Sequence, residues 1–409
     1  MGWFRIIGLI LTGKTGKSNL YNYSMSFRRK IILSALNVCV LLFLTYVLNN
    51  QPLFTGEDLN QYAWMEFLKE KVGLSDNNNY EDAVFINVAY DKQFADYYDE
   101  FGMAVGNIDI TDRNKLLQIL TMLDSTNQYK YLFIDIRFEK ALKTSVDSIL
   151  FSKIRNMKNI VIANHSDIEL ADSALISKSA INEYASTIVA TNFARYQYLY
   201  GQQLSMPLYA YKDITGKIIK KHGLFYTCDS KICQNSLFLR FPTSGFSEFN
   251  NNEKMYYNLG SDILDNYSTA DVATLTKEKL VFIGDMVEDV HDTYAGMKPG
   301  TIITYQAFRA LMKDEHIVSW SLLVVLSFVF FSISFSLYNR NSIIKKLPLI
   351  KNNHSKLLNF IISFFGYASV LFLLVVVINL FFNKSVSILI PSLYFATLNL
   401  INKYKGIII

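Results

Sequence analysis

The sequence has no acidic residue near either end. All 35 Asp and Glu residues fall between positions 50 and 316, whereas Lys and Arg occur along the whole chain. The segments 1–49 and 317–409 are therefore purely basic in their charged residues, and both contain long charge-free apolar stretches. Stretches of this kind flanked by basic residues are typical of membrane spans and exclude an ordinary soluble surface there.

Cysteine and histidine are also scarce, with three and five residues respectively. Cys228 and Cys233 have four residues between them, and an oxidising compartment would allow a disulfide across a hairpin tip at Asp-Ser-Lys. Two unpaired thiols are the alternative. No H-x-H or H-E-x-x-H pair occurs, so the sequence predicts no metal site and no cofactor.

One stretch resembles a nucleotide-binding loop. Residues 8–15 match G-x-x-x-x-G-K-[ST]. Only seven residues precede Gly8, and large apolar residues fill the loop where close backbone approach to phosphate favours small ones. We interpret residues 1–30 as a basic leader instead.

Four charge-free runs predict membrane helices. They are Ile31 to Leu48, Ile317 to Tyr338, Phe360 to Phe382 and Val386 to Ile401. A helix needs roughly 20 apolar residues to cross about 30 Å of hydrocarbon. The fourth run is short and contains Pro391, so a re-entrant or interfacial segment is the alternative there.

Basic residues predict the orientation. The leader, the loop 339–357 and the tail 402–409 carry positive charge only, which favours the cytoplasmic side. Residues 50–316 then face outward, with 26 basic and 35 acidic residues and a net charge of −9. We expect a multi-pass protein of a bacterial inner membrane, with both termini cytoplasmic and its first span uncleaved. An acidic exterior argues against nucleic acid as a partner.

The exterior segment predicts an α/β domain. Five short runs rich in Val, Ile and Phe do not alternate in polarity, which favours strands of a largely parallel sheet buried on both faces. They occupy residues 84–90, 132–138, 159–165, 187–193 and 280–286. Helical patterns lie at 57–72, at 111–124 with Thr111 as the capping residue, at 146–157, and at 301–315, where the helix continues into the second span. Residues 204–242 predict an antiparallel insertion.

The segment KLVFIGDMVEDVHDTYAGMKPGTIITYQAFRALM (279–312) resembles a known family. Its features are a strand ending in Gly284, then Asp292 and Thr293, Gly296, Pro299 and Gly300 before a helix. With VFINVAYD (84–91), ITDR (110–113) and FIDIRF (133–138), it is similar to the second class of CHASE domains. The resemblance implies an extracellular sensory domain of the kind associated with bacterial cyclases and histidine kinases.

Polar residues near predicted strand ends are the candidate ligand contacts. They are Asp91, Asp135, His165, Asp285, His291 and Asp292. Open α/β sheets place ligands beyond the carboxyl ends of their strands. For the 285–292 cluster, a polar loop and catalysis are the alternatives. For Asp135, the alternative is a structural partner, Arg113 or Arg137. His165 is placed to face the same crevice as Asp91 and Asp285, and the alternative is a histidine that is simply hydrogen-bonded.

Three functions fit these patterns. The first is a sensory or ligand-binding receptor that signals through its spans to a separate protein, since no output module follows the last span. The second is a non-enzymatic structural or assembly subunit of a cell-envelope complex. The third is an enzyme that uses the 285–292 cluster. We expect the first, with a membrane-bound protein partner, a small-molecule ligand and a homo-oligomeric state as further expectations.

Overall fold

The computed structural model of the protein describes residues 25–50, 64–69, 71–73, 80–99, 101–165, 169–182, 195–241, 257–339, 356–382, 384 and 386–404. The predicted strand at 187–193 and most of the leader and of the 339–357 loop lie outside these residues. The chain forms two compact units. One contains the described residues from 43 to 325 and from 372 to 388, and the other contains the remaining parts of the long helices.

The helices in chain order are α1 (Phe27–Asn49), α2 (Arg113–Thr126), α3 (Asp147–Asn156), α4 (Met206–Thr215), α5 (Gly260–Asn266), α6 (Thr269–Thr276), α7 (Gly300–Met312), α8 (Trp320–Tyr338), α9 (Lys356–Phe382) and α10 (Leu389–Tyr404). The strands are β1 (Ala83–Asn87), β2 (Lys92–Tyr98), β3 (Ala104–Thr111), β4 (Tyr131–Asp135), β5 (Leu142–Lys143), β6 (Ile160–Asn164), β7 (Ser179–Ile181), β8 (Tyr196–Gln197), β9 (Leu199–Tyr200), β10 (Gln203–Leu204), β11 (Ile219–His222), β12 (Phe225–Cys228), β13 (Lys231–Cys233), β14 (Ser236–Leu237), β15 (Tyr257–Leu259), β16 (Leu280–Gly284), β17 (Val290–Thr293) and β18 (Gly296–Pro299).

A six-stranded sheet forms the centre of the domain. Its order is β15-β1-β16-β4-β6-β7, and every pairing in it is parallel. The residues of β1 and β16 are all buried, which confirms the prediction made from non-alternating apolar runs. The last strand, β16, lies between β1 and β4, so distant parts of the sequence meet at the middle of the sheet.

Aromatic side chains cover one face of the sheet. Phe85, Phe282 and Phe133 are register partners on β1, β16 and β4, and therefore point to the same side. Their rings stack, with centroids 5.3 Å apart for Phe85–Phe282 and 4.4 Å apart for Phe133–Phe282. Helices α4 and α7 cover this row. Each such aromatic pair stabilises the fold by about 1 kcal/mol beyond the contribution from burying its surface area.

Aliphatic side chains cover the other face. Val84, Ile86, Val281 and Ile283 pack there against α2, α3, α5 and α6. Helix α2 begins at Asp112, whose carboxylate accepts from the N–H groups of Asn114 and Lys115 at 2.9 and 3.0 Å. The predicted cap, Thr111, is instead the last residue of β3, so that prediction was wrong by one residue. The domain is thus a three-layer α/β/α sandwich.

The predicted antiparallel insertion is confirmed in part. Strands β11, β12 and β13 form an antiparallel sheet, but residues 206–215 form helix α4. The turn from β12 to β13 contains Asp229 and Ser230, both with positive φ, as tight hairpins require.

The disulfide prediction is not supported. Cys228 and Cys233 are free buried thiols. Cys228 lies opposite Lys231, and Cys233 lies opposite Tyr226, so the two cysteines are diagonal neighbours. Diagonal Cα atoms in antiparallel strands are about 7–8 Å apart, beyond the usual span of a disulfide.

Helix α7 does not run into α8, contrary to the prediction. It ends at Met312, and Asp314 adopts a positive φ. The following segment runs beside β13: the N–H of Val318 donates to the carbonyl of Ile232 at 2.9 Å, and the N–H of Gln234 donates to the carbonyl of His316 at 2.7 Å. The apolar pattern continues across this break, so periodicity alone did not reveal it.

Three helices, α1, α8 and α9, are long and apolar enough to cross a membrane among the residues that the structure describes. The fourth predicted run forms the shorter apolar helix α10. Pro391 lies in its first turn, where a missing N–H costs no helical hydrogen bond.

The helical unit has a polar contact in its interior. The amide of Asn37 donates to the hydroxyl of Tyr338 at 3.0 Å and accepts from the hydroxyl of Tyr394 at 2.7 Å. These residues lie on α1, α8 and α10. Hydrogen bonds of this kind between apolar helices hold them together where the surrounding medium offers no partner.

Candidate functional site

A pocket of about 710 Å³ opens at the carboxyl end of the central sheet. Its lining residues come from strand ends and adjoining loops. They are Lys92, Ile108, Asp109, Ile110, Thr111, Asp135, Ile136, Arg137, Glu139, Leu142, His165, Asn182, Asp285, Glu288, Asp289 and His291. Its volume falls within the range of small-molecule sites.

The parallel sheet brings these residues together. Asp135 ends β4, and His165, Asn182 and Asp285 directly follow β6, β7 and β16. Because parallel strands all end at the same edge, residues up to 150 positions apart in sequence meet there. His165 and Asp285 therefore line one pocket with Asp135 and His291, but Asp91, which was predicted to share it, does not.

Lys92, the first residue of β2, forms ion pairs with the loop that follows β16. Its ammonium lies 2.8 Å from Asp285 and 3.1 Å from Glu288. Burial alone would raise the pKa of Asp285, but the N–H groups of Glu288 and Val287 and the ammonium of Lys92 outweigh it and lower that pKa. For Lys92, burial is likewise outweighed by the two carboxylates, which raise its pKa. Both groups are therefore charged at neutral pH.

Asp135 has a neutral partner in the pocket wall. Its carboxylate accepts from the amide of Asn182 at 2.7 Å, and that amide oxygen accepts from Thr304 at 3.3 Å. The predicted partner Arg113 instead donates to the carbonyl of Arg137 at 2.9 Å and lies over the ring of Phe138. Sequence spacing favoured a nearby arginine, but the sheet order placed Asn182 there.

Gly284 allows this wall to form. A Cβ atom at Gly284 would lie 2.6 Å from the methyl group of Thr301 and 3.2 Å from Asp135. Both distances are shorter than ordinary van der Waals contact. The end of β16 therefore requires glycine so that the start of α7 and the end of β4 approach it closely.

The loop predicted after Gly284 is a β-hairpin. Strands β17 and β18 pair antiparallel, with Thr293 opposite Gly296. The hydroxyl of Thr293 donates to the carbonyl of Gly296 at 2.6 Å, and Gly296 has a φ of +82°. Pro299 then precedes α7, and the N–H of Gly300 donates to the carbonyl of Asp289 at 3.0 Å. The hairpin thereby fixes the position of His291.

His291 and Asp289 form a pair at the pocket edge. Nε2 of His291 lies 3.0 Å from Oδ1 of Asp289. A carboxylate so placed orients an imidazole ring. Both residues line the pocket, and their contact with each other is local in sequence.

Two predicted site residues lie elsewhere. Asp91 is buried beside Gly260 and bonds to the ammonium of Lys115 at 2.7 Å, so it holds α2 and α5 against the end of β1. Asp292 lies on β17 opposite Met297 and is not a lining residue of the pocket. Both were predicted from position near a strand end, which does not specify side-chain direction.

Sequence reasoning missed one wall of the pocket. Ile108, Asp109 and Ile110 come from β3, and Leu142 comes from β5. These strands form a small antiparallel sheet with β2, separate from the parallel sheet. The alternation of Ile108, Asp109, Ile110 and Thr111 in β3 was a usable signal for it.

No cluster of three or more potential metal ligands occurs among the residues described by the structure. The pocket chemistry is instead that of spaced carboxylates, two fixed cations and an apolar wall. Such a lining suits reversible binding of a polar organic molecule. Comparison with protein-family models, with curated proteins and with solved structures finds no match for this chain.

Proposed function

We propose that the protein is a membrane-bound sensory receptor that binds a small molecule in the pocket and transmits the binding through its spans to a separate protein. The observation that carries the proposal is the pocket at the carboxyl edge of a parallel sheet, built from residues of five distant segments. The proposal assigns no catalytic step to the chain.

A direct structural path leads from the pocket towards the spans. Helix α7 begins at the pocket loop, where Gly300 bonds to Asp289, and runs 13 residues, about 20 Å. Residues 313–319 follow it and pair with β13 before α8 begins. A displacement of the pocket loop would therefore be passed along one rigid helix to the base of α8.

The hairpin formed by β12 and β13 also contacts the end of α1. The hydroxyl of Tyr46 donates to the carbonyl of Cys233 at 2.9 Å and accepts from the N–H of Tyr226 at 2.7 Å, while its ring stacks on Phe225. Asn50 accepts from the N–H of Asn235 at 2.6 Å. Lys384 lies near enough for its charge to act on His316 and Cys233. We call the junction the set formed by the β12–β13 hairpin, Tyr46, residues 313–319 and Lys384.

The orientation belongs to the same proposal. We place the α/β domain outside a bacterial cytoplasmic membrane and the basic segments inside, with α10 as a fourth span beside the three longer helices. The charge asymmetry of the sequence supports this arrangement. The resemblance to CHASE domains supports the sensory role.

A structural or assembly subunit is the alternative function. Extensive contacts at the junction would also serve a rigid docking platform. A platform would hold its partner regardless of what occupies the pocket, whereas a receptor would not.

The test compares the full-length protein with Ile108→Trp, purified in mild detergent. Ile108 lines the pocket yet is 43% exposed on β3, so indole fills the pocket with little risk to folding. The receptor function predicts a bound small molecule by mass spectrometry that the variant loses, together with altered recovery of a partner protein. A partner at fixed stoichiometry with both proteins, and no bound molecule in either, would establish the structural role instead.

A further inference from the structure

The edge of a β-strand forms one wall of the pocket. Strand β3 lies at the end of the small sheet, whose order is β3-β2-β5, and among the residues that the structure describes it pairs with β2 alone. Residues 108–111 of β3 all line the pocket. Successive residues of a strand point to opposite faces, so a pocket that meets four consecutive residues adjoins the edge of the strand rather than one face.

The ladder between β2 and β3 identifies the main-chain groups at this edge. The two strands pair antiparallel, and directly beyond the ladder the N–H of Asp112 donates to the carbonyl of Asp91 at 2.8 Å. Hydrogen-bonded positions alternate along an antiparallel pair. Ile110 therefore bonds to β2, whereas Asp109 and Thr111 direct their N–H and carbonyl groups to the other edge. Each of these two residues offers a donor and an acceptor there.

The composition of β3 leaves this edge open to a further strand. Edge strands that stay unpaired usually carry proline or lysine, which discourage pairing with another chain. The sequence of β3, AVGNIDIT, contains neither residue, and its positions 104–109 are exposed. A segment in extended conformation can therefore reach the edge from solvent.

The two faces beside this edge differ in polarity. Ile108, Ile110 and Leu142 share one face of the small sheet, because Leu142 lies opposite Tyr97, two positions along β2 from the partner of Ile108. Lys92 lies on the opposite face and pairs there with carboxylates of the loop that follows β16. A strand added beside β3 would place alternate side chains next to the apolar face and the others next to the polar one.

We infer that the ligand of the pocket is a short peptide that binds in extended conformation as an additional strand beside β3. Residues 108–111 span about 13 Å, which matches a segment of about four residues. In this mode of recognition the main-chain ladder provides affinity, and alternate side chains provide specificity. The inference rests on the proposed function, because it names the ligand class of the same pocket.

The test uses a tetrapeptide with blocked ends, acetyl-Thr-Val-Thr-Val-amide, and the full-length protein in mild detergent. Blocked ends carry no charge, so titration calorimetry reports on main-chain pairing and side-chain contacts alone. Two N-methylated forms are the matched controls, one methylated at both Val amides and the other at both Thr amides. Only alternate residues of a strand bond to a given neighbour. One methylated form should therefore lose about tenfold or more in affinity, while the other binds like the unmodified peptide.

Variants of β3 locate the binding. Asp109→Pro removes an N–H at the pocket edge and keeps the ladder with β2, and proline is tolerated where the N–H of an edge strand faces outward. It should weaken binding of the tetrapeptide about tenfold or more. Asp109→Asn retains the N–H and should bind the peptide more tightly than Asp109→Pro. Val105→Pro, at the bulge of β3 and outside the pocket lining, should leave the affinity unchanged. The methylated peptides provide the same test if Asp109→Pro fails to fold.

The outcomes that would overturn the inference are distinct. Equal affinities of the three peptides, or loss of affinity in both methylated forms, would mean that the peptide does not pair as a strand. Unchanged affinity of Asp109→Pro would place the peptide elsewhere. A wild-type dimer in light scattering that Asp109→Pro dissociates would show that a second copy occupies the edge.

If the unmodified tetrapeptide does not bind, the ligand class is wrong. The receptor function then fails as well only if the purified protein retains no molecule that Ile108→Trp loses.

Discussion

The pocket and the junction treat ionisable groups in opposite ways. In the pocket, Lys92 lies between two carboxylates and is partly exposed, so its charge is stabilised. In the junction, His316 is fully buried, and both of its ring nitrogens lack a hydrogen-bond partner among the described residues. Lys384 is buried there too, and its ammonium likewise has no partner within the described chain. The charged side chain of the pocket thus has ionic partners, whereas these two side chains of the junction are buried without a hydrogen-bond partner among the described residues.

Electrostatic surroundings explain the difference. Burial lowers the pKa of His316 to about 4, with Lys384 adding to the effect and Asp314 opposing it. Burial also lowers the pKa of Lys384 to about 8, against attraction by Glu315. Glu315 itself pairs with Arg240 at 2.8 Å. In the junction, burial opposes the charged forms of His316 and Lys384, whereas in the pocket ionic partners stabilise the charged form of Lys92.

The largest expected effect is acid sensitivity from His316. Above pH 6.5 the imidazole is neutral in both folded and unfolded chains. As the pH falls from 6.5 towards 4, only the unfolded chain takes up the proton, so stability decreases by about 3 kcal/mol. His316→Phe should remove this loss in chemical unfolding measured between pH 7 and pH 4. His222→Gln, an exposed histidine on β11, is the control and should retain it.

Lys384→Met should stabilise the protein by about 2 kcal/mol at pH 7, because it removes a buried ammonium without a partner. The wild-type protein should also gain stability as the pH rises from 8 to 10.5, where the unfolded lysine remains charged and the folded one does not. Lys220→Met on the exposed part of β11 is the matched control. Equal unfolding midpoints for the Lys384 variant and wild type would contradict a buried unpaired charge.

Tyr46→Phe should cost about 1.5 kcal/mol, since it leaves the N–H of Tyr226 and the carbonyl of Cys233 without their partner. The same unfolding measurement with Tyr90→Phe, an exposed tyrosine, provides the comparison. A loss equal in both variants would mean that the hydroxyl of Tyr46 does not fasten α1 to the hairpin.

Lys92→Met should have the smallest effect on stability, below about 1 kcal/mol, because the ion pairs are partly exposed. Chemical unfolding of the variant beside the wild type measures the size of the change and its contrast with Lys384→Met. A large loss of stability would show that Lys92 is a structural residue.

Local pattern predicted the central strands well. The runs around Phe85, Phe133 and Phe282 do not alternate because both faces of the sheet are covered, and the structure confirms that arrangement. Strands β7 and β15 contain three residues each, too few for a periodic signal. They are strands only because longer neighbours pair with them.

Contacts between residues that are distant in sequence determined the features that local patterns did not predict. The partner of Asp135 is Asn182, 47 residues away, and Lys92 meets Asp285 across 193 residues. Neither contact has a local signature. The break between α7 and α8 depends similarly on β13, which offers backbone partners to residues 316–318 and so competes with a continuous helix.

The central claim is that occupancy of the pocket is felt at the junction. Hydrogen exchange of the full-length protein in lipid nanodiscs, compared between the wild type and Ile108→Trp, measures both regions at once. Filling the pocket should change the protection of residues 285–292 and, simultaneously, the exchange of the β12–β13 hairpin. A change confined to the pocket, with the exchange of residues 225–233 unaltered, would contradict the claim.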